Sequence, residues 1–182
     1  KENLEEARLL SEFFAAVKQS SKVTIAVAHG NVFGGGNGLV AVCDLAYGLN
    51  DTRFSLSETR LGIVAATISP FMLQRLPVHI YKELVFTARK FNGIEAEKIG
   101  LLNKSFETTE ALDAYLDKTI NAILNGGPLA VEGSKRLIDN LCDREKAPEI
   151  TEQIPKILAE VRVSSEAREG FAAFLEKRKP NW

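Results

Sequence analysis

The sequence has 182 residues, the size of about one domain, and its 45% hydrophobic and 26% charged residues are typical of a globular rather than a disordered chain. Its formal net charge of −1 offers no general electrostatic attraction to nucleic acid or to anionic lipid. The sequence contains no apolar run near the roughly 20 residues that a membrane-spanning helix needs. We therefore expect neither nucleic acid nor a membrane as a partner.

The two cysteines, Cys43 and Cys142, are far apart in the sequence and belong to no cluster with metal-ligand spacing. This pattern favours a reducing compartment, so it predicts a cytoplasmic location and no metal site.

The predicted elements begin with a helix over residues 3–18, where apolar residues recur at helical spacing. The apolar, β-branched run at residues 23–28 predicts a buried strand. Apolar residues 39–43 predict a buried helix, and residues 52–56 predict another short strand. Between the first strand and that helix lies a group of glycines: Gly30, Gly34, Gly35, Gly36 and Gly38.

From Gly62 onward the sequence becomes mainly helical. Ser69 and Pro70 are predicted as the N-cap and first residue of one helix, and Pro77 begins another. Further helices are predicted over residues 94–99, 110–124, 129–142, 149–163 and 165–177. The pattern indicates a mixed α/β front half followed by a helical tail.

The glycines allow three interpretations. Gly36–Ala41 fits the dinucleotide-binding pattern G-x-G-x-x-A, with Glu58 20 residues after Gly38, but that fingerprint should follow its strand directly. Alternatively, glycines let backbone N–H groups at the start of a helix approach a developing oxyanion. A tight packing turn would use the same residues. The pattern leaves these alternatives open.

Glu58 lies between short apolar stretches in Phe54–Ile63, with the sequence FSLSETRLGI. A carboxylate in an apolar setting can act as an acid or base near neutral pH. The alternative is a surface carboxylate paired with Arg60, and spacing alone favours it.

Three blocks in the same order resemble the enoyl-CoA hydratase/isomerase (crotonase) family. They are KVTIAVAHGNVFGGGNGLVAVCD at residues 22–44, FSLSETRLGI at residues 54–63 and EGFAAFLEKRKPNW at residues 169–182. The resemblance implies an α/β fold, a spiral of ββα turns incomplete at its N-terminus, over residues 1–107. It implies that residues 108–182 form a helical oligomerisation region that builds a homotrimer or hexamer.

The resemblance also implies an acyl-CoA thioester as substrate, with no separate cofactor because coenzyme A is part of that substrate. Gly35 would supply one backbone N–H of an oxyanion hole. The second donor would come from a loop that precedes residue 1. Since the chain opens at Lys1 and its one methionine is Met72, we expect that an N-terminal part has been removed or is not shown.

Glu58 matches the second of two glutamates typical of hydratases in this family, whereas Gly38 stands where the first would be. One carboxylate suffices for a Δ3-Δ2-enoyl-CoA isomerase, so this substitution favours isomerisation. The wider sequence is more similar to bacterial hydratases of the methylglutaconyl-CoA and carboxygeranoyl-CoA type. We therefore expect a 2-enoyl-CoA hydratase, with an isomerase or a catalytically silent family member as alternatives.

The resemblance assigns further contacts to the substrate. Near the thioester these are Gly34, Gly36, Gly38 and Ala66. In the last helix, Phe174 and Lys177 match positions that meet the adenosine end of coenzyme A, often from a neighbouring subunit. Without the resemblance, Lys177 would be interpreted as a solvated surface residue.

Overall fold

A computed structural model describes residues 2–182 of the chain. Its helices are α1 (Glu2–Lys18), α2 (Gly35–Val42), α3 (Ser69–Arg75), α4 (Val78–Thr87), α5 (Gly93–Lys98), α6 (Thr109–Leu124), α7 (Pro128–Cys142), α8 (Ala147–Arg162) and α9 (Ser165–Glu176). Its strands are β1 (Ile25–Ala28), β2 (Asn31–Phe33), β3 (Leu45–Leu49), β4 (Arg53–Ser55), β5 (Phe91–Asn92) and β6 (Lys104–Phe106). The predicted mixed α/β front half and helical tail are confirmed.

The strands form two separate three-stranded sheets. One has the order β1-β3-β6 with parallel pairs, and the other has the order β2-β4-β5, in which β5 runs antiparallel to β4. Successive strands therefore enter different sheets: β1 and β3 pair in the first, and β2 and β4 pair in the second. The chain changes sheets after β1 at Gly30, whose φ of 66° suits a glycine.

The register of the second sheet brings two important segments together. Phe33, at the end of β2, lies opposite Ser55, at the end of β4. The glycines follow β2, and Glu58 follows β4. The parallel pairing of two short strands thus places both candidate motifs at the same edge of one sheet.

The core of the front part lies around α2. This helix is apolar on nearly every side, which is typical of a buried helix. Its residues Val40 and Val42 join a core that includes Phe54, whose ring stacks on Phe91 with centroids 5.3 Å apart. Burial of each such side chain contributes roughly 1.5–3 kcal/mol. The packing buries the C-terminal part of α2, whereas its first residue, Gly35, is exposed.

The described chain divides into two compact units, one up to Leu116 and one from Asp117 to Trp182. The predicted division between residues 107 and 108, with an oligomerisation role for the second part, stays a prediction. Among residues 2–182, no helix combines the length and the apolar character needed to cross a membrane.

The end of the second unit is held by a carboxylate. Glu169 accepts hydrogen bonds from the Arg178 guanidinium at 2.6 and 3.0 Å and from the Asn181 backbone N–H at 2.7 Å. The ring of Trp182 lies over Gly170, since a Cβ there would stand 3.4 Å from Trp182 Cζ3. The bonds from Arg178 and Asn181 lower the pKa of Glu169 to about 2.

We expect this tail to loosen in acid. Because the pKa of Glu169 is lowered in the folded chain, its contribution is complete above the ordinary value of 4.5 and is lost as the pH falls towards about 2. Glu169→Gln should loosen the tail already at pH 7. The measurement is fluorescence and acrylamide quenching of Trp182, the one tryptophan of the chain.

Glu176→Gln provides the control, because Glu176 also contacts Arg178, at 2.6 Å, while Asn181 bonds to Glu169. Its quenching should match that of the unmodified protein at pH 7. Equal quenching in all three proteins would show that Glu169 does not hold the tail.

Candidate active site

The glycine turn, Gly34–Gly36, comprises the residue between β2 and α2 and the first two residues of α2. Gly34 has φ 50° and ψ −121°, a conformation that residues with a side chain rarely adopt. Its N–H donates to the Ser55 carbonyl at 3.0 Å, and its carbonyl accepts from the Asn37 N–H at 2.9 Å. These two bonds tie the turn to the end of β4 and to the first turn of α2.

The N-terminus of α2 is uncapped by any side chain, since its N-cap residue is Gly34. Gly35, the first helical residue, therefore has an N–H for which the helix offers no acceptor. A Cβ built on Gly35 would meet no atom within 4 Å, so this position opens onto free space. An N–H at the positive end of a helix dipole, beside open space, is suited to stabilising negative charge.

Glu58 opens a 3₁₀ turn, Glu58–Leu61, shortly after β4. Gly62 closes this turn with φ 72°, and the Ile63 N–H donates to the Glu58 carbonyl at 3.2 Å. The Glu58 side chain is thus attached to a short turn that Gly62 ends and that the Ile63–Glu58 hydrogen bond closes.

The 3₁₀ turn that carries Glu58 is bound to α4 by the two side chains that follow Glu58 in the sequence. Thr59 Oγ1 donates to the Val85 carbonyl at 2.9 Å. Arg60 Nη2 donates to the Thr87 carbonyl, also at 2.9 Å. The predicted surface pair of Arg60 with Glu58 is therefore not the arrangement found here, because this guanidinium instead binds the end of α4.

The Glu58 carboxylate faces the glycine turn. Oε1 lies 3.4 Å from the point where a Cβ on Gly34 would stand. Oε2 is buried and has no hydrogen-bond partner among the described residues. A carboxylate oxygen held in this way is free to accept a proton or a hydrogen bond from a ligand. Glu58 and Gly35, the two predicted catalytic residues, thus lie on neighbouring segments.

A pair of hydroxyl groups near Glu58, those of Ser69 and Tyr81, was not predicted from the sequence. Ser69 Oγ donates to the Ala65 carbonyl at 2.6 Å and shares a hydrogen bond with Tyr81 Oη at 2.8 Å. Burial raises the pKa of Tyr81, and the negative charge of Glu58 raises it further against the lowering effect of the Ser69 bond. The phenol therefore stays protonated at neutral pH.

The prediction of Ser69 as an N-cap was wrong. The N-cap of α3 is Ile68, and Ser69 and Pro70 are the first two helical residues. The Ser69 hydroxyl is directed to Ala65 and Tyr81 instead of to the backbone N–H groups of the helix. No local pattern could have shown this, because Tyr81 lies on the next helix.

The other predicted contacts near the thioester have different surroundings. A Cβ on Gly36 would lie 3.4 Å from Val32 Cγ1, so Gly36 packs closely on β2. Ala66 is exposed in the loop between the Glu58 turn and α3, and its N–H donates to the Val64 carbonyl at 2.8 Å. Their contact with a substrate stays a prediction.

Gly38 is buried where α2 meets α1 and α3. A Cβ there would stand 2.3 Å from Ile68 Cγ2 and 3.0 Å from Phe14 Cζ. This position therefore packs against two core side chains and has no room for a carboxylate. Its predicted substrate contact is not tested by this packing.

We expect Gly38→Ala to lower the free energy of unfolding by about 1–3 kcal/mol, because the added methyl group overpacks the core. Gly133→Ala is the matched control, since a Cβ on Gly133 in α7 would meet nothing within 4 Å. It should leave stability unchanged or raise it by up to about 1 kcal/mol. Urea unfolding measures both, and equal stabilities would contradict the close packing at Gly38.

Phe174 and Lys177 belong to the second compact unit. The Phe174 side chain is 80% exposed on the last turn of α9. Lys177 follows as the C-cap, with φ 54°, and is also exposed. Their predicted contact with the adenosine end of coenzyme A stays a prediction.

A family model described as enoyl-CoA hydratase/isomerase matches residues 5–182. The chain is 35% identical over 172 residues to a peroxisomal Delta(3,5)-Delta(2,4)-dienoyl-CoA isomerase of Arabidopsis thaliana, covering 92% of this chain and 60% of that protein. It is 33% identical over 173 residues to the probable mitochondrial enoyl-CoA hydratase 2 of the same plant, covering 94% and 56%. The chain thus spans less than two thirds of the length of these relatives.

Among solved structures, an enoyl-CoA hydratase from Shewanella pealeana superposes with a TM-score of 0.92 and 30% sequence identity. The match covers 100% of this chain and 67% of that one. This similarity confirms the predicted fold.

Proposed function

Because the chain belongs to the enoyl-CoA hydratase/isomerase (crotonase) family, we propose that the protein is an enzyme that adds water to a 2-enoyl-CoA thioester. The observation that carries this proposal is the carboxylate of Glu58 beside the uncapped N-terminus of α2. The Glu58 carboxylate can accept and return a proton, and the N-terminus of α2 can stabilise negative charge.

In the proposed reaction, the oxygen of water bonds to C3 of the substrate. The electrons of the C2=C3 bond move towards C2 and the thioester carbonyl, whose oxygen becomes negative. The Gly35 N–H donates to that oxygen, with the dipole of α2 acting in the same direction. Glu58 accepts a proton from water and returns it to C2 as the enolate electrons form the new C2–H bond, so that the product is a 3-hydroxyacyl-CoA.

Hydration is the first choice because two of the similar proteins described above are named as enoyl-CoA hydratases. The sequence likeness to hydratases of branched or carboxylated enoyl-CoAs makes such acyl chains the first to test. The hydrogen-bonded pair of buried Tyr81 and half-buried Ser69 supports the proposal as well, since it adds neutral hydroxyl groups near Glu58 without a second negative charge.

Isomerisation is the second candidate, and the packing of Gly38 favours it. That position has no room for a carboxylate, so no second acid stands there to manage a water molecule. Glu58 alone could remove a proton from C2 of a 3-enoyl-CoA and return it at C4. The likeness to a dienoyl-CoA isomerase supports the same alternative.

We extend the proposal to the assembly and location of the protein. The second unit exposes large apolar side chains on α7, α8 and α9, namely Leu129, Ile138, Ile154, Leu158, Val161, Phe171 and Leu175. Burial of these side chains against further copies would support the homotrimer or hexamer implied by the family. The cytoplasmic location predicted from the cysteine pattern remains part of the proposal.

The deciding experiment incubates the protein separately with 2-enoyl-CoA and 3-enoyl-CoA substrates in H₂¹⁸O, across short, branched and carboxylated acyl chains. Hydration places ¹⁸O in a 3-hydroxyacyl product made from the 2-enoyl substrate. Conversion of 3-enoyl to 2-enoyl without label, and without hydration of any 2-enoyl substrate, would establish the isomerase instead. A protein that converts none of these substrates would be the silent family member.

A further inference from the structure

We propose that Asn37 is a positioning residue that holds the glycine turn in the geometry needed for the Gly35 N–H to meet the thioester oxygen. The inference rests on the proposed function, because it assigns Asn37 a role in the same oxyanion site. Asn37 itself is fully buried and does not touch the open space beside Gly35.

The side chain of Asn37 connects three backbone segments at the turn. Its Nδ2 lies 3.1 Å from the carbonyl oxygen of Val32, 3.2 Å from that of Gly34 and 2.9 Å from that of Ser55. These carbonyls belong to β2, to the N-cap of α2 and to the end of β4. One amide group thus ties the glycine turn to both strands that lead into the site.

The orientation of the amide is determined by these neighbours. Three carbonyl oxygens surround the terminal nitrogen, so exchanging Nδ2 with Oδ1 would place oxygen against oxygen. The observed orientation leaves Oδ1 buried without a hydrogen-bond partner among the described residues. An unpaired buried acceptor is unfavourable, and an apolar side chain of similar size would avoid it. The donor side of the amide is therefore the feature that this position requires.

The hydrogen-bond partners of Asn37 leave the Gly35 N–H available to a ligand. Asn and Asp at helix N-termini usually accept hydrogen bonds from the free N–H groups of the first turn. Asn37 does the opposite, since it binds carbonyl oxygens and places no acceptor on the Gly35 N–H. The turn is thereby fixed without occupying the N–H that the oxyanion needs. A preorganised donor is effective because it does not have to reorient during the reaction.

The test compares Asn37→Leu, which removes the donor at similar volume, with the unmodified protein and with Thr52→Val. Thr52 is the matched control because it is also fully buried and donates from its side chain to one carbonyl, that of Ala28 at 3.0 Å. It lies just before β4, whereas Ser55 and the glycine turn lie at the other end of that strand.

Three measurements are made well below the melting temperature of each protein: kcat and KM with the substrate found in the labelling assay, thermal unfolding, and the infrared carbonyl stretch of a bound saturated acyl-CoA. Butyryl-CoA with ¹³C at the thioester carbonyl is the probe, or isovaleryl-CoA where branched substrates react faster. We expect Asn37→Leu to lower kcat about 10–100-fold, less than the loss of a whole oxyanion donor. KM should change less than about threefold, and the carbonyl frequency should move towards its value in water.

Thr52→Val should reduce thermal stability while leaving kcat and the carbonyl frequency unchanged. If Asn37→Leu, like Thr52→Val, loses thermal stability but keeps its kcat and its carbonyl frequency, Asn37 is a structural residue and the inference is wrong. If Asn37→Leu does not fold, the same comparison is made with Asn37→Ala, which adds no new contact. An unmodified protein that neither binds the probe nor converts an enoyl-CoA would instead overturn the proposed function, and the inference with it.

Discussion

Glu58→Gln is expected to lower kcat for the enoyl-CoA substrate by roughly 10²–10⁴-fold, the range typical of losing a general acid or base. Glutamine has the same shape as glutamate but cannot take a proton from water or from carbon. The structure strengthens this expectation, because Oε2 of Glu58 is buried beside the glycine turn without a hydrogen-bond partner among the described residues. Both hydration and isomerisation need this oxygen unprotonated.

Glu95→Gln is the matched control for that variant. Glu95 is a partly exposed carboxylate that shares Arg89 with Glu83, so its loss should cost no more than about 1 kcal/mol of stability. Its kcat should equal that of the unmodified protein. A fall of less than tenfold in Glu58→Gln, with the unmodified protein active, would exclude Glu58 as the proton-transfer group.

Gly35→Val should reduce kcat by about 10²–10³-fold, as expected when one oxyanion donor is lost or blocked. A Cβ on Gly35 would meet no protein atom within 4 Å, so the side chain extends into free space rather than into the core. We therefore expect the variant to fold and to hinder only a ligand that occupies that space. Steady-state kinetics and thermal unfolding, measured on the same preparation, separate these effects.

Gly133→Val is the matched control, because Gly133 also opens to free space but lies in α7 of the other compact unit. It should leave kcat unchanged. If Gly35→Val retained the full kcat of the unmodified protein, the glycines would be explained by the packing of a tight turn, and the oxyanion assignment would be lost.

The sequence by itself determined the long elements of this protein. The helices predicted over residues 110–124, 129–142, 149–163 and 165–177 correspond to α6, α7, α8 and α9. Their apolar spacing and their boundaries at glycine, proline and serine are local signals, which do not depend on the rest of the chain. Short strands carry too little pattern for this, so β2, β3 and β5 were missed although β1 and β4 were predicted.

The sequence also predicted Glu58 and Gly35 as catalytic residues, but this prediction came from the resemblance carried by three blocks in a fixed order. The spacing of Glu58 alone favours a surface residue. Pairing of β2 with β4 is what brings the two motifs to one edge of a sheet, and this pairing joins residues more than 20 positions apart. Such a contact depends on the packing of α2 against the core and cannot be deduced from either motif separately.

Only the tertiary structure decided the surroundings of Gly38, Asn37 and Tyr81. Gly38 belongs to the sequence motif, yet its packing against Ile68 and Phe14 comes from helices elsewhere in the chain. Tyr81 reaches Ser69 from the next helix, and Asn37 gathers carbonyls from two strands and the turn. Side-chain hydrogen bonds extend only about 3 Å, so their partners are known only once the backbone has been placed in space.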